Sequence, residues 1–471
     1  MADRPEPPLS DAPDHPAIQP VSPGAVESPQ WRQLYLPLPA KFAVAFVAAT
    51  TWLLLSIWLS LPWLGDLSAE IGKPLALGII VFIAYIPGFM NAFLLCTILL
   101  DRRPPREIPA HYPGISILIA CYNEADDIAE TLHSIALQDY PGELEVLVLD
   151  DGSTDGTAAA TRAAIQEFGH LERVRMHVVD NPVNRGKAAV LNDGLGLAQH
   201  DIVATVDGDS WLYRLALQRA VERMISDPPG TKAVAGSVLV RNASVNWITR
   251  AQQWDYFHGI AAVKRMQSMY HGTLVAQGAF SVYERQAMLD IGGWPDSVGE
   301  DIVASWALLK AGHRIGYAED ALLLTHAPTT FRQFALQRKR WSRGLVEAFR
   351  HHAPLLLKPR LTVLFIWWNL LFLPLDVVYT FAFIPGIVLA LFGKYYIVGI
   401  MTLAIVPLAL VSNIVMYRAQ GKVFDELGLS RPRDGVAFVF YTLAYALLMQ
   451  PVCVWGYFSE LFGLRKRWET K

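Results

Sequence analysis

Charge is scarce in this 471-residue chain. Asp, Glu, Lys and Arg make up 18% of it, against about 25% in ordinary soluble domains. The hydrophobic set reaches 53% and mean hydropathy is +0.28, so part of the chain needs lipid. An excess of either sign is also lacking. The formal net charge of −3 gives no global field to draw the chain onto a polyanion, and no nucleic-acid partner is expected. Cysteine is nearly absent. Cys96, Cys121 and Cys453 are far apart, which excludes a disulfide framework and a paired-cysteine zinc site. The first residues lack the basic start, short apolar run and small-residue cleavage site of a secretory leader, and the N-terminus is expected to be retained.

What is present falls into blocks. Residues 1–40 are rich in proline, with scattered acids; such a composition buries too little apolar surface to fold, and a disordered tail is expected. Phe42 to Leu64 and Pro74 to Leu100 are expected to be transmembrane helices, being nearly free of charge and at or beyond the ~20 residues that span a hydrocarbon core. Arg102, Arg103 and Arg106 follow the second one and place that exit, the tail and the next domain in the cytoplasm. From about Tyr112 to His352 short β-branched runs alternate with helical patterns, the signature of a mostly parallel α/β sheet. Ile115–Ala120, Glu145–Leu149 and Asp201–Val206 are expected strands, with Glu130–Gln138 a crossover helix. Three further apolar blocks run from Leu361 to Phe392, Tyr395 to Met416 and Gly435 to Tyr457. Three crossings would put the C-terminus outside, whereas Arg465, Lys466, Arg467 and Lys471 favour the inside, so an even number fits the charge better.

Five clusters in the polar block carry chemistry. Asp150-Asp151-Gly152 ends an apolar strand, where open α/β sheets present ligand loops; an Asp-Gly turn would also suit these residues. Asn184-Arg185-Gly186-Lys187 opens a helical pattern, and a lysine with free amides at a helix start suits a diphosphate. Asp207-Gly208-Asp209 ends another strand and offers oxygens to a hard cation such as Mg²⁺ or Mn²⁺. Gly299-Glu300-Asp301 precedes the helical pattern Ile302–Ala311. Capping and dipole effects account for such acids, and so does a carboxylate base. Gln337-Arg338-Lys339-Arg340-Trp341 lies in an amphipathic stretch from Phe331 to Phe349 that suits a surface-lying helix, where a guanidinium can bind pyrophosphate and an indole can stack on a sugar.

In this order, and between membrane segments, the five clusters resemble the processive family 2 glycosyltransferases, the cellulose, chitin, hyaluronan and poly-N-acetylglucosamine synthases. The likeness runs from about Gly114 to Gly344. It covers the D-D-G loop, Gly186-Lys187 through Leu191-Asn192, the D-x-D triplet, the T-E-D motif with Gly299 in place of the usual Thr, and Q-x-x-R-W. Tyr283-Glu284-Arg285 and Arg467-Trp468 look most like the bacterial poly-β-1,6-N-acetylglucosamine synthases.

The resemblance implies an α/β fold: a cytoplasmic GT-A type domain with a mostly parallel sheet, inserted between α-helical transmembrane segments of a bacterial inner-membrane protein. It implies a catalytic domain over 101–330, interfacial helices over 331–360, channel-forming helices over 361–463 and a basic tail over 464–471. Residue by residue, it assigns Asp151 to uridine, Lys187 to the phosphates, Asp207 and Asp209 to a Mg²⁺ or Mn²⁺ ion and the diphosphate, and Asp301, beside Glu300, to the base. Gln337 and Arg340 would hold the diphosphate, Trp341 the acceptor sugar, and Gln277-Gly278 the acceptor-side loop. The implied reaction is an inverting single displacement from a UDP-sugar, with UDP-N-acetylglucosamine the expected donor, onto a growing polysaccharide exported through the membrane. A glycolipid-forming transferase and another processive synthase are the alternatives in the same chemistry. A transporter or scaffold is the alternative outside it, for which Asp376 in an apolar block speaks. Too few residues follow Tyr457 for a cyclic-di-GMP-binding barrel, so regulation by that nucleotide would need a partner, such as a small membrane subunit.

Overall fold

The computed structural model describes residues 36–103, 106–168 and 171–464. Residues 1–35 of the proline-rich segment, and the basic end with Arg465, Lys466, Arg467, Trp468 and Lys471, lie outside the described residues.

Among the described residues eight strands form one sheet: β1 Ile115–Cys121, β2 Leu144–Asp151, β3 Val174–Asn181, β4 Ile202–Asp207, β5 Ser210–Leu212, β6 Thr231–Val240, β7 Phe280–Glu284 and β8 Arg314–Thr325. Their spatial order is β3-β2-β1-β4-β7-β6-β8-β5. Pairings among β1 to β4 are all parallel, as is β6 with β8; β7 runs antiparallel between β4 and β6. The three strands expected from sequence are present, each one to three residues longer or shifted, and the first crossover helix is Ile128–Ala136 rather than Glu130–Gln138. Strand β2 is buried along its whole length, as a parallel strand covered on both faces must be. Register aligns Cys121 with Asp150, and Ala120 with Asp207. The carboxyl ends of β1, β2 and β4 therefore meet at one edge, and the neighbours of β1 lie on opposite sides of it, which is where such sheets open a crevice.

Among the described residues, helices Leu38–Leu59, Lys73–Leu99 and Val363–Leu391 are long and apolar enough to cross a membrane. The first stops short of the expected Leu64. A new helix, Leu61–Ile71, begins there with Pro62 in its first turn, a place where the missing N–H costs nothing. The other two each widen into a π-turn, Val81–Tyr85 and Tyr379–Phe383, just before an Ile-Pro-Gly triplet. The wider turn accommodates the carbonyls that the proline ring would crowd.

The last apolar block differs from a simple span. Gly435–Leu443 and Tyr445–Leu461 meet at 48°, and both ends of the pair are tied to the polar part of the chain. Asp434 caps the first helix through the Ala437 N–H and pairs with Arg250 at 3.5 Å. Glu460 receives Arg343 at 3.0 Å and Arg350 at 2.9 Å. The second helix packs along Phe331–His352 so closely that a Cβ on Gly456 would collide with the Ser342 hydroxyl. Helix Ile400–Glu426 also returns to the α/β domain, where the Tyr213 hydroxyl donates to the Leu427 carbonyl at 3.0 Å.

Membrane helices and α/β domain share one continuous core. Tyr270 is its pivot, with ring centroids 5.4 Å from Phe42, 6.0 Å from Phe93 and 5.9 Å from Phe365. Two of the arginines read as topological signals are also structural. Arg103 lies 3.1 Å from Asp101 and 3.5 Å from Glu319, and Arg106 grips Asp320 at 2.5 Å. Asp376, the acid in the apolar block, accepts a 2.8 Å bond from the Tyr457 hydroxyl. The partner is a tyrosine from another helix.

Candidate active site

At the end of β2 the Asp151 carboxylate is buried and accepts two backbone N–H groups, Arg185 at 2.7 Å and Gly186 at 2.8 Å. It thereby pins the loop that leads into helix Lys187–Leu197. Gly186 has φ +89, a left-handed conformation that favours glycine, and it turns the chain so that Lys187 opens the helix. Asp150 accepts from the Ser153 hydroxyl within its own turn.

Lys187 reaches across to β4. Its ammonium contacts Asp207 and lies 4.0 Å from Glu300. Burial alone would lower its pKa, but these two carboxylates outweigh that and raise it. Gly208 lets the two aspartates flank a tight spot. A Cβ there would lie 3.2 Å from the Cys121 sulfur and 3.3 Å from the Glu124 Cγ. The Asp209 carboxylate faces the Thr325 hydroxyl at 3.4 Å. Burial first, then Glu124, Asp150, Asp207 and Asp209, push the Cys121 thiol well up. Four carboxylates thus make the end of β1 strongly negative before any ligand arrives.

Both acids of the Gly299-Glu300-Asp301 triplet lie inside the helix rather than ahead of it. Helix Glu300–Ala311 has Gly299 as its cap residue. The Asp301 carboxylate accepts N–H bonds from Ile302 at 2.7 Å and Gly278 at 3.2 Å. Glu300 is buried; burial first, and Asp301 second, hold its carboxyl well above the ordinary range, while Lys187 and Arg340 pull the other way. Gly278 is the floor between these groups, because a Cβ there would be 3.1 Å from the Lys187 ammonium and 3.4 Å from Glu300. Gln277 faces away from them, donating to the Gly236 carbonyl at 2.7 Å and accepting from Lys264.

Helix Phe331–His352 closes the site. Its cap residue Thr330 and Gln333 bond each other reciprocally, which fixes where the helix starts. Gly344 touches Gly299 so tightly that a Cβ on Gly299 would be 2.5 Å from the Gly344 Cα. The glycine standing where the resembled family has threonine is thus required by the approach of this helix. Arg340 lies close enough to act electrostatically on both Glu300 and Lys187. Gln337 bonds Tyr256, and Trp341 is 40% exposed. Lys187, Asp207, Gly278, Glu300, Asp301 and Arg340 therefore converge. Asp151 and Gln277 stand behind them as supports, and Trp341 lies to one side.

Three further groups were not singled out from sequence. Asn123 and Glu124 follow β1; Asn123 is in the left-handed region at φ +57 and its side chain accepts the Thr154 N–H at 2.9 Å. An Asn-Glu pair directly after the first strand was the available signal. Lys264, whose pKa burial pulls down to about 7 against the pull of Asp301, donates to the Val275 carbonyl at 2.9 Å. Arg338 was hidden in a basic run and is buried. Arg338 had no local signal, because its partners are 83 and 107 residues away.

This fold is the GT-A-like α/β fold of glycosyltransferases, and residues 116–292 match the model of glycosyl transferase family 2. Among curated proteins, it is 34% identical over 232 residues to the poly-beta-1,6-N-acetyl-D-glucosamine synthase of Staphylococcus epidermidis, covering 49% of this chain and 54% of the relative. The synthase of the same name from Staphylococcus aureus is 32% identical over 246 residues, 52% of this chain and 57% of the relative. The chain thus spans little more than half the length of these relatives. Among solved structures, a mannosyltransferase from Pyrobaculum calidifontis, in complex with GDP-Man and Mn²⁺, superposes with a TM-score of 0.53 at 20% identity. That match covers 91% of this chain and all of the other, a likeness of fold.

Proposed function

We propose that the protein is a membrane-embedded, inverting glycosyltransferase that polymerises UDP-N-acetylglucosamine into a β-linked exopolysaccharide and passes it across the inner membrane. The observation that carries this reading is the convergence at one sheet edge of a lysine, a pair of strand-end aspartates and a helix-start acid pair, roofed by the helix that presents Arg340 and Trp341. Lys187 and Arg340 supply positive charge for a diphosphate, which a leaving nucleotide needs. Asp301, held by two N–H groups, takes the proton of the acceptor hydroxyl as that oxygen attacks the anomeric carbon. Asp151 acts on the donor both through uridine and by holding the Lys187 loop.

Asp207 and Asp209 fit a divalent cation: they are hard oxygen donors in a negative field, and a cation would replace the Lys187 ammonium now on Asp207. Among the described residues no three or more His, Cys, Asp or Glu side chains are placed to hold a metal ion together, which leaves diphosphate and water oxygens to complete the coordination. When bound, Mg²⁺ or Mn²⁺ would stabilise charge on the departing UDP.

The protein is multi-pass and its catalytic domain cytoplasmic. Helices Val363–Leu391 and Ile400–Glu426 cross outward and back, and the bent pair 435–461 lies along the inner face, tied to the domain at both ends. Two crossings after the domain return the C-terminal side to the cytoplasm. Regulation by cyclic-di-GMP and a small membrane subunit belong to the same reading.

The test is a screen of labelled UDP-sugars with purified protein in lipid and Mg²⁺ or Mn²⁺. Long polymer from UDP-N-acetylglucosamine alone, lost in excess chelator, is expected. Incorporation only of glucose, a need for two donors, or a discrete glycolipid as sole product overturns the reading.

A further inference from the structure

Arg338 occupies an unassigned position inside the Gln337 to Trp341 motif, and its surroundings are unusual for a residue on an amphipathic helix. It is 3% exposed. Its Nη2 donates to the Asp255 carboxylate at 2.8 Å and to the Tyr445 hydroxyl at 3.0 Å, and that hydroxyl donates to the same Asp255 oxygen at 3.0 Å. Three elements separated by up to 190 residues are joined at one point: the π-turn Asp255–Ile260, the helix Phe331–His352 and the helix Tyr445–Leu461. π-turns often mark functional places, and this one also aims Tyr256 at Trp341, with ring centroids 6.2 Å apart.

The flat face of the guanidinium is engaged as well. Its carbon lies 4.1 Å from the centre of the Trp341 ring system, and the rings of Phe334 and Tyr256 flank it at 5.3 and 5.8 Å. One face of the indole is therefore covered by a cation held through its Nη2 by Asp255 and Tyr445, while the residue as a whole remains 40% exposed. A half-exposed tryptophan otherwise samples several rotamers. Here it can offer only its other face.

Resting on the function proposed above, we propose that Arg338 is a positioning residue for the acceptor. Clamped by Asp255 and Tyr445, it stacks beneath Trp341 and fixes the indole so that its free face receives the terminal sugar of the growing chain. A helix of the C-terminal pair thereby takes part in acceptor recognition without touching the sugar.

The variant that separates this role from a structural one is Arg338→Lys. An ammonium can still pair with Asp255, but it lacks the planar surface that stacks on an indole. Tyr445→Phe, which leaves Arg338 on Asp255 and removes the two bonds of the hydroxyl, is the second variant. Three readouts are taken on full-length protein in lipid: UDP affinity by calorimetry, transfer rate as acceptor oligosaccharide is varied, and the ¹⁹F resonance of 5-fluorotryptophan-labelled protein assigned to Trp341 by its loss in Trp341→Phe. For Arg338→Lys the expected result is UDP affinity within about twofold of wild type, a shifted or broadened Trp341 resonance, and acceptor use reduced by about tenfold or more. Tyr445→Phe should move the resonance in the same direction by less. An unmoved Trp341 resonance in Arg338→Lys overturns the proposal whatever the activity, as does a loss of UDP affinity in proportion to rate. A wild-type protein that gives no polymer while its Trp341 resonance responds to Arg338→Lys overturns the function and leaves the clamp standing.

Discussion

At the scale of single residues the acid pair is the point of greatest leverage. Asp301 carries the acceptor proton in the proposed reaction and takes two N–H bonds from its own helix and the acceptor-side loop. Asp301→Asn should leave UDP-sugar affinity nearly intact and lower transfer by ~10²-fold or more. Asp151→Asn should do the reverse. An amide has one oxygen to offer where the carboxylate serves both Arg185 and Gly186, so the Lys187 loop loosens and donor affinity falls. Calorimetry beside transfer rates decides it, and if Asp301→Asn loses affinity in step with rate while Asp151→Asn does not, the two roles are exchanged. Glu300 permits a pH experiment. Burial and its acidic neighbour keep its proton on at pH values where ordinary carboxylates have lost theirs, and glutamine mimics that protonated form. The ratio of Glu300→Gln to wild-type rate should be close to one on the acid side of this titration and depart from one as pH rises through it. A ratio constant across the neutral range would mean that Glu300 does not ionise there.

At the scale of elements, the site depends on how closely two helices approach. Gly299 and Gly344 let the helices Glu300–Ala311 and Phe331–His352 touch at backbone distance, and this holds Arg340 against the acids. Gly299→Thr, which restores the residue usual in the resembled family, would put a Cβ 2.5 Å from the Gly344 Cα and 2.9 Å from the Ile302 Cγ2. One helix must move, and overpacking of this kind costs about 1–3 kcal/mol. A lowered thermal midpoint and reduced transfer are expected in this chain, and retained activity would show that the helices can part without disturbing Arg340. The motif was legible from sequence, glycine included. The need for the glycine was not, because it arises from Gly344, 45 positions along the chain.

At the scale of the molecule, the α/β domain and the membrane helices are one body, joined by Tyr270 and by the ion pairs of Asp101, Arg103 and Arg106. The proposed path outward at Val363–Leu391 and back at Ile400–Glu426 makes opposite demands on two loops. In a background lacking Cys96, Cys121 and Cys453, a cysteine replacing Lys394 should react with an impermeant thiol reagent applied from outside intact cells. One replacing Arg433 should react only after the membrane is opened. Labelling of the Arg433 position from outside would mean that Ile400–Glu426 does not return to the inner face and that the bent pair 435–461 makes the second crossing instead of lying along that face.

Sequence by itself determined what is local. Apolar run length located the first long apolar helices, β-branched runs located β1, β2 and β4, the last two ending in acids, and the spacing of short motifs indicated which residues bring chemistry. These follow from composition within about ten positions, where chain geometry and hydrophobicity act directly. Tertiary structure alone decided the rest: that Asp151 braces a loop, that Asp376 pairs with Tyr457, that the last apolar block bends back along Phe331–His352, and that Arg338 is a buried clamp rather than one more surface cation. Each depends on a partner between 34 and 117 residues away, and the free energy of a buried charge is set by the partner the fold delivers.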